Sequence, residues 1–355
     1  MSLITLDFET YYHDIEGDPK NRYSLRTMTY EQYIFDPRFH VQMVGIKVDQ
    51  EPTQVFGPNE IEAALNQYFY DGNTNQLLCH NTLFDAAVLY WNYGLKAAFY
   101  FDTLCIARGL MPYASASLGD LCERLFPDDL SLRKGKELVS ANGVREFEGS
   151  LYDDMAGYCQ QDVDLTLAVF IALAPHFPEK ELFNIHWTIR NFAEPVMVLD
   201  QELCHQNIQN IEQTRADKLE SLGLPKTTLS SAKKFTDYMV DQFDIKPPTQ
   251  YSQTTKKRSV SWAKDCLEFL RLQRDRPELM PYFEGRLMFG SSIEISRSNR
   301  HLAHVQPDGT IAIPLKYCGA HTTRWSGTNK INFQNIPRSS VLRNTICAPE
   351  GYKVI

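Results

Sequence analysis

The segment Ala174-Pro175-His176-Phe177-Pro178 constrains the fold most, because neither proline can donate to a helical ladder and the periodicity changes across it. Before it, short apolar runs at Leu3 to Phe8, Val41 to Val48 and Gln76 to Cys79 alternate with helical periodicity in Phe84 to Tyr93, Leu118 to Leu125 and Leu151 to Leu173. That alternation predicts an α/β domain with a mixed sheet over residues 1–178. After the break, helical periodicity fills Glu181 to Phe192, Gln201 to Leu222, Ser231 to Phe243 and Trp262 to Leu272. Lys246 to Ser261, rich in Pro, Thr, Ser and Lys, reads as an exposed loop. Beyond Gly290 the pattern turns β-like, through Ile311 to Leu315 and Leu342 to Ala348. A chain of 355 residues also exceeds the roughly 250–300 at which one core stops growing, so three regions are expected: 1–178, 179–290 and 291–355.

Charge divides at the same place. Residues 1–180 carry 13 basic against 26 acidic side chains, a balance of −13, while the remainder carries 23 against 18, a balance of +5. The net −8 therefore does not exclude a polyanionic partner, since an acidic half can serve cations while a basic half serves phosphates. The eight cysteines show no CxxC pair and no metal-ligand spacing with histidine, which predicts free thiols. The opening Met1-Ser2-Leu3 runs straight into a strand, and no apolar run approaches the ~18 residues of a membrane span. The expectation is a cytoplasmic protein without a membrane partner.

In Ile4-Thr5-Leu6-Asp7-Phe8-Glu9, strand geometry puts Ile4, Leu6 and Phe8 on one face and Thr5, Asp7 and Glu9 on the other. Two carboxylates side by side repel, so either a cation sits between them or the strand is a solvated edge. Asp85, in Asn81-Thr82-Leu83-Phe84-Asp85, falls in the first turn of a helix capped by Asn81 or Thr82, where the macrodipole alone would favour it. Tyr158 and Asp162 lie on one helical face at i, i+4, on a helix that also carries Asp153, Asp154 and Asp164.

Together, Asp7-x-Glu9, Asn81-x-x-x-Asp85 and Tyr158-x-x-x-Asp162 resemble the three motifs of the DEDDy 3′-5′ exonucleases in order, spacing and placement. The resemblance implies an RNase H-like fold over about residues 1–175, with Asp7, Glu9, Asp85, Asp162 and Tyr158 as the catalytic set. It implies two divalent ions, Mg²⁺ or Mn²⁺, which hard oxygen ligands suit. Asp7 would bridge them, Glu9 and Asp162 would complete the water-activating one, and Asp85 would hold the other. Tyr158 would orient the attacking water. Thr10 and Asn81 match positions that contact the terminal nucleotide.

A second resemblance lies near the C-terminal end. His321-Thr322-Thr323-Arg324-Trp325-Ser326-Gly327, Asn332-Phe333-Gln334-Asn335-Ile336-Pro337-Arg338, Arg343 and Ala348-Pro349-Glu350-Gly351-Tyr352-Lys353-Val354-Ile355 are similar to the block that opens the palm of family A DNA polymerases. Thr323 stands where that family usually has Gly, and Phe333 where it usually has Leu. The resemblance implies an incomplete α+β palm preceded by a mostly helical thumb. Arg324, Arg338 and Arg343 supply cations for duplex phosphates, and Gln334 and Asn335 amides for minor-groove acceptors. Lys256, Lys257 and Arg258 match the basic thumb tip that grips primer-template DNA. Arg271, Arg274 and Arg276 could instead pair with Glu268, Asp275 and Glu278.

Asp7 lies too close to Met1 for a preceding 5′-nuclease domain, which is similar to phage-type enzymes, and the sequence stops where the first catalytic carboxylate of the palm would follow. The leading expectation is a proofreading 3′-5′ DNA exonuclease within a fragment, or the first half, of a split polymerase. It would act on single-stranded 3′ ends and primer-template DNA and take a C-terminal polymerase half as partner. The alternatives are a non-catalytic DNA-binding and assembly subunit of a two-chain polymerase, and an RNA-trimming exonuclease.

Overall fold

The computed structural model describes residues 1–18, 21–70, 74–134 and 140–353. The chain forms two compact units, one of Met1–Leu199 together with the chain from Ala303 onward, the other of Asp200–Leu302.

The first unit is built on a five-stranded mixed sheet of order β3-β2-β1-β4-β5. Its strands are β1 (Leu3–Thr10), β2 (Val41–Val48), β3 (Gln54–Phe56), β4 (Gln76–Cys79) and β5 (Phe99–Asp102). β1, β2 and β3 pair antiparallel, whereas β4 and β5 continue the sheet in parallel from β1. Helices α1 (Tyr30–Ile34), α2 (Ile61–Phe69), α3 (Thr82–Ala87), α4 (Thr103–Leu110), α5 (Leu118–Leu125), α6 (Ser150–Leu173) and α7 (Glu179–Ala193) connect and flank it. The alternation in β1 holds: Ile4, Leu6 and Phe8 enter the main core with Val44, Ile46 and Leu77. The opposite face of β1 and β2 lies under α6, where Met43, Met155, Tyr158 and Cys159 make a smaller core. Helical periodicity over 84–93 resolves into α3 followed by a π-helical turn, Val88–Asn92.

The packing units cut the chain differently from the sequence boundaries at 178 and 290. α7 follows the proline break but packs on β5, with the His186 ring stacked on Phe99 at 4.3 Å. A short strand β6 (Val198–Leu199) closes this stretch.

The second unit contains α8 (Gln201–Leu222), α9 (Lys226–Ser230), α10 (Ala232–Phe243), α11 (Leu267–Asp275), α12 (Met280–Gly290) and α13 (Ile293–Ala303) around Phe235, Met239, Trp262, Phe269 and Phe283. The stretch expected as a loop over 246–261 is instead a hairpin, β7 (Thr249–Ser252) against β8 (Lys257–Val260). Every residue of β8 is exposed, so the ribbon has no buried face to write an apolar alternation into its sequence. α13 occupies residues expected to be β-like. Its buried positions include Ser298 and His301, polar residues that leave no hydrophobic stripe to read. α11 begins at Leu267, five residues after the start expected at Trp262.

Residues from Ala303 onward return to the first unit with three two-residue strands, β9 (Leu315–Lys316), β10 (Ser326–Gly327) and β11 (Ile346–Cys347). β11 pairs with β6. Tyr317 donates to Glu181 Oε2 at 2.6 Å, Trp325 Nε1 to Thr188 Oγ1 at 2.9 Å, and Asn329 Nδ2 to Glu31 Oε2 at 2.7 Å. Side-chain bonds over such sequence separations explain why this segment packs with the sheet. None of the eight cysteines is in a disulfide, and among the described residues no helix is long and apolar enough to cross a membrane.

Candidate active site

β1 pairs with β4 only from Leu3 to Thr5, and beyond that point its edge toward β4 has no strand partner in the register. The Phe8 amide there donates to Asp85 Oδ1 at 3.2 Å, so the first turn of α3 caps the open edge and brings its carboxylate beside Asp7. From the other side α6 descends on β1 and β2. The approach is close because Asp7 lies opposite Gly45 in the β1–β2 register, and a Cβ at Gly45 would stand 2.9 Å from Val163 Cγ2, 3.0 Å from Cys159 Sγ and 3.3 Å from the Cys159 carbonyl. The glycine therefore lets Tyr158 and Asp162 reach the strand that carries the first two acids. A bulge between Glu9 and Thr10 then ends the regular pairing of β1.

The structure brings Asp7, Glu9, Asp85, Asp162 and Tyr158 together. Glu9, Asp85, Asp162 and Tyr158 are all buried, and Asp7 is half-buried. Burial and the nearby Asp162 push the Asp7 carboxyl up to about 7. Glu9 rises for the same reasons, with burial first and Asp7 and Asp162 next, and Asp85 through burial and Asp7. Such mutual elevation is what carboxylates buried beside one another show. Candidate ligand atoms of Asp7, Glu9 and Cys159 lie within 4.8 Å of one another. The Cys159 thiol is pushed far up by burial and the Asp7 charge, and it donates to the Asp7 carbonyl at 3.7 Å, so oxygen ligands dominate the site. The Tyr158 phenol is pushed up by burial and by Asp162, to which it hydrogen-bonds. It stays a donor at any ordinary pH. Asp164, on the same helix, is satisfied elsewhere by Lys47 Nζ at 2.9 Å and Thr53 Oγ1 at 2.6 Å.

Asn81 occupies the N-cap position of α3 but makes no side-chain cap bond. Its backbone is left-handed, with φ 74°, and its amide donates to Asp102 Oδ1 at 3.1 Å. Buried Asp102 caps α4 as well, accepting from Leu104 N at 2.8 Å. The Asn81 side chain instead meets the Tyr30 hydroxyl at the wall of a cavity of about 630 Å³. Arg108 and Lys316 line that cavity, and the Arg108 charge lowers the Lys316 pKa. His80 also lines it and stays neutral, its pKa brought down to about 4 by burial and by Lys134. Thr10 Oγ1 lies 2.9 Å from the Tyr33 hydroxyl.

The remaining candidates are not part of this cluster. In the hairpin, Lys256 adopts φ 54° at the turn and Lys257 is exposed. Arg258 is engaged with Thr249 at 3.0 Å and with the Glu268 carboxylate. Arg274 and Arg276 pair with Asp275 at 3.1 Å and Glu278 at 2.5 Å. Arg324, Gln334, Asn335 and Arg338 are exposed on the C-terminal segment, while the exposed Arg343 donates to the Ile336 carbonyl at 3.2 and 3.1 Å. Thr323 takes φ 57°, which gives the glycine common at that position its conformational reason. Val354 and Ile355 lie outside the described residues.

Sequence reasoning missed Gly45, Lys134, Arg108 and Lys316. A glycine inside an apolar strand signals a close approach and could have been read. Lys134 stands in the run Arg133-Lys134-Gly135-Lys136, which carries no local sign of burial.

Comparison with known proteins yields no match among curated sequences. Among solved structures, the chain is similar to the POL domain of Pol1 from M. smegmatis, in a complex with DNA primer-template and dNTP, at 18% identity and a TM-score of 0.58. That likeness covers 88% of this chain and 53% of the other, so the chain spans about half its length, and at this identity it speaks for the fold alone. The family model described as 3′-5′ exonuclease, of the DNA polymerase A type, matches residues 12–177, a stretch that begins just after β1 and contains Asn81, Asp85, Tyr158 and Asp162. Residues 12–177, just under half of the chain, thus match the model of the 3′-5′ exonuclease domain of family A DNA polymerases.

Proposed function

We propose that this chain is the proofreading part of a family A DNA polymerase, a divalent-metal-dependent exonuclease that removes nucleotides from DNA 3′ ends. The observation that carries this reading is the gathering of four carboxylates and one permanently protonated phenol from β1, α3 and α6 around the second half of β1, within the stretch that the exonuclease model matches or just before it. Their oxygens fit hard cations such as Mg²⁺ or Mn²⁺, and their raised affinity for protons is the electrostatic demand that such cations would meet. Asp7, Glu9 and Asp162 would hold one ion, and Asp7 with Asp85 the other. Two ions held there supply an activated water and charge neutralisation at the leaving 3′ oxygen.

The chain's own groups do the rest. Tyr158 cannot act as a base and instead fixes the attacking water by hydrogen bonding. Asn81 and Thr10 flank the carboxylates and contact the terminal nucleotide. Arg108 and Lys316, which form no salt bridge among the described residues, place the preceding phosphates of the strand along the cavity beside Asn81. Lys256, Lys257 and Arg258 in the second unit, and Arg324, Gln334, Asn335, Arg338 and Arg343 in the C-terminal segment, contact primer-template DNA. The helical second unit serves as the thumb and the C-terminal segment as the start of the palm.

The test is release of labelled nucleotides from matched and mismatched 3′ ends, with Mg²⁺ or EDTA and with DNA or RNA. Asp7→Ala is expected to lower release by at least about 10³-fold with DNA affinity nearly intact. Unchanged degradation by that variant, or equal degradation in EDTA, sinks the proposal, and a preference for RNA sinks its choice of substrate.

A further inference from the structure

We propose that Lys134 is a built-in cation of this site, which occupies the Asp162 side of the cluster in the metal-free protein and competes there with the divalent ion. The inference rests on the metal reading of the carboxylates. Lys134 leaves the short 3₁₀ turn Leu130–Leu132, and its ammonium forms an ion pair with Asp162 Oδ2. The same ammonium lies 4.7 Å from the centre of the Tyr158 ring, over its face. Its charge opposes the elevation of both Asp7 and Glu9, so it acts on three of the four acids. Two other cations in this region are committed elsewhere. Lys47 pairs with Asp164, and Arg133 donates to the Cys122 and Pro127 carbonyls. His80, which also feels Lys134, is held neutral.

Four carboxylates buried together do not keep their positions without positive charge between them. Lys134 supplies one charge where an ion of two charges is to bind. The ammonium takes up one of the lone-pair sites of the Asp162 carboxylate and repels a second cation brought beside it, so loading that side works against the lysine. The bland reading is that the ion pair only fastens the 130–134 turn to α6. The two readings predict opposite effects on metal affinity: a fastener, when removed, loosens the ligand set and weakens binding, whereas a competitor strengthens it.

The experiment is Mn²⁺ binding by the full chain, followed by the loss of the free Mn²⁺ electron paramagnetic resonance signal, with melting temperature recorded with and without metal. Lys134→Gln is expected to bind Mn²⁺ about tenfold more tightly, as removal of a unit charge a few ångströms away implies even after screening. Its metal-free form melts lower, and its metal-induced rise in melting temperature exceeds that of the wild type. Lys134→Arg keeps the charge and the fastening but grips the carboxylate with a two-pronged donor, so it binds Mn²⁺ no more tightly than the wild type. A Gln variant that binds no better than wild type overturns the inference, as does an Arg variant that binds better. If neither wild type nor the Gln variant binds Mn²⁺, the metal reading fails with it. A wild type that binds beside an unimproved Gln variant removes only the role of Lys134.

Discussion

At the carboxylate site each functional side chain is held by a different part of the chain, whereas the basic residues of the β7–β8 hairpin touch only their own ribbon and the helix beside it. Asp85 is fixed by the Phe8 amide 77 residues away in sequence, and α6 is seated by Gly45. Arg258, by contrast, pairs with Thr249 and Glu268, nine and ten residues away. On the proposed function, chemistry that needs oxygens at set positions sits where packing fixes them, and charge that would only need to meet a phosphate backbone stands on an exposed ribbon. The first arrangement breaks when packing is disturbed, the second only when charge is removed.

The largest test of that contrast is Gly45→Ala. The added methyl meets Val163 and Cys159 inside 3.4 Å and forces α6 outward, at a cost of about 1–3 kcal/mol. Denaturant unfolding should show that loss, and exonuclease rate should fall far more than the stability change implies, because Tyr158 and Asp162 move with the helix. A variant with wild-type rate would show that the close approach does not position the site.

The next test uses pH. Asp7 titrates near 7 in the folded protein against 3.8 when unfolded, so between those values the native state binds more protons. Stability of the metal-free protein is then fully present below about pH 4 and is lost as pH rises through about 7, and the raised Glu9 and Asp85 act in the same direction. Melting in EDTA should drop by roughly 5 °C or more across that window. The slope should shrink in Asp7→Asn and with saturating Mg²⁺, and a flat EDTA profile would mean the acids do not strain one another.

The smallest effect on the fold is expected in the hairpin. Replacing Lys256 and Lys257 together by Ala should change stability by no more than about 0.5 kcal/mol. Primer-template affinity should fall across all sequences, and the dependence of log affinity on log salt should flatten by about two, one for each phosphate no longer neutralised. An unchanged salt slope would remove these lysines from the DNA surface.

What the sequence disclosed follows the same division. β1, β2 and β4 could be read because they bury β-branched and leucine side chains on at least one face, and the acids on β1, α3 and α6 stand out because each motif is local. β3 is three residues long and largely uncovered, and β5 runs straight into the helix that Asp102 caps, so neither stands apart from its surroundings as a strand. The hairpin could not be read because nothing in β8 is buried. Lys134 and Gly45 act through contacts with residues far along the chain, and a local pattern records no such partner.

One ligand candidate is also a piece of the sheet edge. Asp85 accepts the Phe8 amide that β4 leaves unpaired, so truncating it to alanine would strip a cation ligand and uncap a strand in one stroke. An inactive Asp85→Ala protein would therefore say little about chemistry. Asparagine keeps an oxygen for the amide while discarding the negative charge, which makes Asp85→Asn the variant suited to trapping a bound DNA 3′ end with the scaffold undisturbed.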